Sequence, residues 1–70
     1  MPLAMVSLGE ERVIDTLKGK DEVKRHLKDL GFLRGQTVSV LSDNQSGLIV
    51  QVKGVRIAIN KALANKIIVK

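Results

Sequence analysis

No cysteine occurs among these 70 residues, so the chain has neither a disulfide staple nor a thiolate metal site. That excludes the usual secreted mini-protein frameworks and fits a cytosolic setting. Aromatic side chains are nearly missing too, Phe32 being the single instance. One histidine, His26, has no second imidazole or thiolate with which to complete a transition-metal site. No apolar run approaches the roughly 20 residues of a membrane-spanning helix. The opening MPLAMVSLGEE lacks the charged n-region of a signal peptide, and its apolar stretch is too short for one. A chain with no transmembrane segment of its own is therefore expected.

What is present suits one small domain over residues 1–70. Hydrophobic residues make up 44% of the chain, dominated by Val, Leu and Ile, which is too rich for disorder. A domain of this size buries only about 60% of its unfolded surface, so the apolar residues must be well placed. Twelve Lys and Arg against seven Asp and Glu give a net charge of +5. Such a balance raises nucleic acid, anionic lipid or an acidic protein surface as partners. The cations are spread from Arg12 to Lys70, however, and Lys24-Arg25 plus Lys28 is their densest cluster.

Periodicity divides the chain into short elements. Residues 3–8 (LAMVSL) form an apolar lead-in expected to pack on the domain edge. Glu11 to Lys18 is rich in β-branched residues and reads as a strand closed by a turn at Gly19. From Asp21 the period changes: Val23, Leu27 and Leu30 share one helical face, with Lys24, Arg25, Lys28 and Asp29 on the other side. Asp21 suits the N-cap, because its carboxylate can accept from unpaired amides of the first turn. Gly31 sits where a left-handed residue ends a helix, and Phe32 can fold back over Leu27. Leu33-Arg34-Gly35-Gln36 has glycine at the third position, as a type II turn requires. Gln36 to Leu41 follows as a strand, then a polar loop from Ser42 to Gly47. Leu48, Val50 and Val52 alternate against Ile49, Gln51 and Lys53, and Lys53-Gly54 makes a two-residue hairpin turn. Val55, Ile57 and Ile59 alternate against Arg56, Ala58 and Asn60. Asn60 can cap one helical turn, Lys61 to Asn65, before a last strand from Lys66 to Lys70. Five short strands and one real helix predict a small, partly closed barrel that is mainly β.

Catalytic constellations are missing. His26 lies at the border of the apolar helix stripe and is expected to be half-buried beside Leu30. Asp21-Glu22 and Glu10-Glu11 are adjacent pairs without the i, i+4 spacing that converges two ligands. Ser7, Ser39, Ser42 and Ser46 have no histidine nearby in sequence, and so short a chain has little room for an oxyanion hole and a substrate pocket. Gly31 and Gly35 precede a strand, whereas a phosphate cradle opens a helix. No catalytic, cofactor-binding or metal residue is assigned. Nucleic acid is disfavoured, because the one aromatic is committed to the helix stop and leaves no stacking platform. A binding module remains. Leu33, Leu41 and Ile49 lie in turns or on outward strand faces. A shared patch around Leu33 and Ile49, rimmed by Arg34 and Lys53, would mark a protein interface.

The stretches "VKRHLKDLGFLRGQTVSVL" and "GLIVQVKGVRIAINKALANKIIV" resemble the FeoA family of ferrous-iron-transport accessory proteins. Leu27-x-x-Leu30-Gly31-Phe32-x-x-Gly35 carries the likeness, with Val38-x-Val40, Val55-x-Ile57-Ala58-Ile59 and Ala64-x-x-Ile67-x-Val69. Arg34 departs from the pattern, since the family commonly has proline before the second glycine. The resemblance implies an SH3-like β-barrel, with one α-helix after the first strand and a short helical turn before the last. It implies a cytosolic, non-enzymatic protein supporting the membrane permease FeoB, whose cytosolic part is a GTPase. Similar domains are attached to metal-dependent repressors of the diphtheria toxin repressor type, so a detached regulatory domain is an alternative. Transition-metal binding is a term used for the family, but one histidine and no cysteine offer iron no direct site. The family has no catalytic residues to carry over, and no oligomeric state follows from the motif.

Overall fold

In the computed structural model, which describes residues 1–70, the alternating runs become five strands. They are β1 (Glu11–Leu17), β2 (Thr37–Asn44), β3 (Gly47–Val52), β4 (Val55–Ile59) and β5 (Ile67–Val69). Helix α1 (Asp21–Leu30) lies between β1 and β2, and α2 (Lys61–Ala64) lies between β4 and β5. The strands form one antiparallel sheet in the order β4-β3-β2-β1-β5. This is the mainly β, SH3-like architecture that the resemblance implies.

Two register shifts curl the sheet. Strand β1 gives Glu11, Arg12 and Val13 to β2, then gives Ile14, Thr16 and Leu17 to β5, with the slip at Asp15. Strand β2 slips between Val40 and Ser42, so that Leu41 faces outward after two inward valines. An extra residue of this kind bends its strand and sharpens the local twist. The second slip corrects the sequence reading of Ser42 to Gly47 as a polar loop. Asp43 and Asn44 are paired in β2, opposite Leu48 and Gly47, which leaves only Gln45-Ser46 as the turn.

The core gathers Ile14 from β1, Val38 and Val40 from β2, Leu48, Val50 and Val52 from β3, and Ile67 and Val69 from β5. Helix α1 adds Leu27, its one buried residue, with Val23 and Leu30 packed partly against the same cluster. The helix ends as the Gly31-Phe32 pair predicts. Gly31 has φ 111°, its N–H donates to the Lys28 carbonyl at 3.0 Å, and the Phe32 N–H donates to that of Leu27 at 3.0 Å. This pair of bonds is a Schellman stop, and Phe32 and Leu27 are both buried within the cluster that it closes.

Two further expectations are corrected. Lys20, not Asp21, holds the N-cap position of α1 and makes no side-chain cap bond. Asp21 and Glu22 are the first helical residues, so their carboxylates favour the helix through its dipole instead. The lead-in does not lie on the edge: Leu3, in a 3₁₀ turn (Leu3–Met5), is fully buried, and Val6 is buried with it. Before them Pro2 bridges to Ile68, and Met1 and Val69 exchange two 2.8 Å hydrogen bonds, covering the free side of β5. Val55 is 57% exposed although its partner Val52 is buried, because β4 is an edge strand with no strand on its outer side.

Candidate protein-binding surface

The two glycines that break the helix-to-strand passage build a rigid tip. The Gln36 N–H donates to the Leu33 carbonyl at 3.1 Å, and Gly35 has φ 89°, as a type II turn needs. The Gly35 N–H donates to the Ile14 carbonyl at 2.8 Å, and the Ile14 N–H returns a 2.9 Å bond to Gln36. Leu33 and Arg34 are therefore exposed on a turn stitched to β1. Ile49 faces outward from the middle of β3, opposite Ala58 of β4 and Ser42 of β2. Lys53 (φ 54°) and Gly54 (φ 75°) form the tight β3–β4 turn, with both residues left-handed as a type I′ hairpin requires.

Three of these four residues border different depressions. Arg34 closes one of about 450 Å³ between β1 and α1. Ile49 lies in a second, of about 340 Å³, beside the β2–β3 turn and the end of β4. Lys53 rims a third, of about 400 Å³, whose lining is wholly polar. Leu33 borders none of the three. Sequence reasoning missed that Lys24 and Lys28 line the first depression with Arg34. Their i, i+4 spacing was a usable signal, but which way that helix edge points depends on how Leu27 seats the helix.

A few other polar groups are paired. Glu10 accepts the Ser7 N–H at 3.1 Å and the Arg12 guanidinium at 2.7 Å, which together hold its carboxyl below the usual carboxylate range. Lys61 pairs with Asp43 at 3.6 Å, and Lys70 with Asp15 at 3.8 Å. Asn60 caps α2, accepting the Leu63 N–H at 2.8 Å. His26 is exposed rather than half-buried, because Leu27 alone is drawn fully inward from that part of α1. No three His, Asp or Glu side chains gather where a metal ion could be held. Phe32 is 0% exposed, so its ring offers no face to a nucleic-acid base.

The FeoA domain model matches residues 1–70. A crystal structure of an iron uptake regulatory protein, FeoA, superposes with a TM-score of 0.93 at 31% identity, covering 100% of this chain and 95% of that one. The zinc complex of Stenotrophomonas maltophilia FeoA, described as an SH3 domain protein, gives 0.87 at 26% identity, covering 100% and 89%. A crystal structure of T. acidophilum IdeR shares the fold, with a TM-score of 0.86 at 20% identity over 99% of this chain and 32% of that one. No curated protein matches the sequence.

Proposed function

The chain belongs to the FeoA domain family, and on that premise we propose that it is a small non-enzymatic accessory protein of ferrous iron transport. In this reading it works in the cytosol by binding the cytosolic GTPase region of a FeoB-type permease. The observation that carries the reading is the family match over residues 1–70, joined to a 31% identical chain described as an iron uptake regulatory protein. No helix is long and apolar enough to cross a membrane, so the reading assigns the membrane-spanning part to the partner. The exposed Leu33-Arg34 tip is its proposed contact, with the exposed Ile49 and Lys53 as further candidates. An apolar side chain held on a stitched turn loses little freedom on docking, which favours affinity.

Titration of the wild type with the permease's isolated cytosolic region, followed by calorimetry at moderate salt, tests this. Saturable binding is expected, weakened about tenfold by Leu33→Glu, since central apolar anchors carry much of an interface's energy. No binding by the wild type would sink the reading. Equal binding by Leu33→Glu and by Arg34→Glu would remove the tip from it.

A further inference from the structure

The largest depression carries chemistry that the adaptor reading does not use. Its walls are β1 and α1, and its apolar lining is Ile14, Leu17 and Phe32. Lys24 and Lys28 stand along the helix side, and Arg34 closes one end from the turn. None of these three cations has a carboxylate within ion-pairing distance: the chain's three salt bridges are Arg12–Glu10, Lys61–Asp43 and Lys70–Asp15. Asp15 is the one acid on the groove, and it faces Lys70 at 3.8 Å. The helix acids Asp21, Glu22 and Asp29 are exposed and form no ion pair. The groove thus has a positive wall of unpaired cations facing an apolar one that also carries Asp15.

We propose that this groove binds an extended acidic segment of a partner protein, in which carboxylates alternate with apolar side chains. Spacing supports that occupant. Lys24 and Lys28 are four residues apart, a rise of about 6 Å along a helix. Alternate side chains of an extended strand repeat at about 6.6 Å and point to one side, with the intervening ones on the other. Carboxylates at positions i and i+2 therefore meet Lys24 and Lys28 in register. The side chain between them turns toward Leu17, the apolar lining residue that keeps partial exposure, with Ile14 and Phe32 buried beneath. A nucleic-acid strand fits less well, because the ring of Phe32 is buried and exposes no stacking face. A lone phosphate would leave the apolar wall unused.

The fold explains why the groove is open. Strand β1 leaves β2 after Val13 and passes to β5, so its second half has no strand on the α1 side. The helix covers that side, yet buries only Leu27 fully. The inference extends past the adaptor reading and stands whichever protein carries the segment.

An end-blocked hexapeptide of alternating glutamate and leucine, titrated into the ¹⁵N-labelled chain at low and moderate salt, is the test. Amide shifts are expected at Ile14–Leu17, along Lys24–Lys28 and at Arg34, with affinity falling as salt rises. The double variant Lys24→Glu/Lys28→Glu is expected to lose about tenfold in affinity, at up to about fivefold per exposed pair. Its own spectrum, with core amides unshifted, shows that the fold survives. The proposal is overturned if the peptide shifts nothing at millimolar concentration or shifts another face. It is equally overturned if a lysine–leucine peptide binds as well, or if inorganic phosphate alone reproduces the pattern. Peptide binding without permease binding would retire the adaptor reading and leave the groove assignment standing.

Discussion

Gly31 and Gly47 both have positive φ, but an added methyl group would meet very different surroundings. At Gly31 the new carbon would sit 3.7 Å from Val52 Cγ1, an ordinary contact, so the cost comes from φ 111° alone. At Gly47 it would run into the Ile59 carbonyl oxygen and lie 3.2 Å from the Asn60 Cα, both backbone atoms that cannot rotate aside. We expect Gly31→Ala to destabilise by about 1 kcal/mol. Gly47→Ala should cost about 2–3 kcal/mol, because it overpacks a buried backbone approach. Urea midpoints of the two variants check this, and equal midpoints would mean that the β4–α2 junction yields freely. The role of Gly31 is legible in the sequence, since helix period, glycine and a following apolar residue are all local. That of Gly47 is not, because its neighbour lies twelve residues further along the chain.

Among the elements, the tip between α1 and β2 joins stability to the proposed binding. Arg34 occupies the second position of the type II turn, and its N–H donates no hydrogen bond. Proline there presets φ and restricts the unfolded chain. Arg34→Pro should therefore stabilise by about 0.4–1 kcal/mol. For a domain of this size that is a rise in thermal midpoint of about 2–8 °C. The same change removes one cation from the β1–α1 groove and should weaken the acidic hexapeptide. A lowered midpoint would show that the turn is held in another geometry. Element types along the chain were readable from period and punctuation, as Asn60 before α2 and Lys53-Gly54 between β3 and β4 illustrate. The sequence did not reveal that the two halves of β1 pair with different strands, because pairing joins residues such as Ile14 and Val69, far apart in the chain.

Across the whole molecule, closure depends on a segment that looks dispensable. The residues before β1 read as a lead-in, yet Leu3 is as deeply buried as Phe32. Met1 and Pro2 pair with β5, while the outer side of β4 has no strand beside it. We expect Leu3→Ala to cost about 2–5 kcal/mol, like any large-to-small change in a close-packed core. In a domain with little stability to spare, that is enough to unfold much of the population. Circular dichroism melts against Met5→Ala, an exposed neighbour expected to be neutral, provide the measurement. A mild Leu3 effect would show that the segment frays without disturbing the barrel.

The sequence by itself determined the kinds of element, their order, the helix stop and the turn that presents Leu33-Arg34. Each of those rests on hydrogen bonds and side-chain preferences spanning a few residues. It also excluded thiolate chemistry and aromatic stacking, through residues that are missing or committed to the core. Tertiary structure alone decided which faces meet: that Leu3 enters the core, that Arg34, Ile49 and Lys53 border separate depressions, and that Lys24 and Lys28 join Arg34 over an apolar wall. Those placements follow from two register shifts and from the seating of α1 on Leu27. Both are outcomes of packing between distant residues, which no local pattern records.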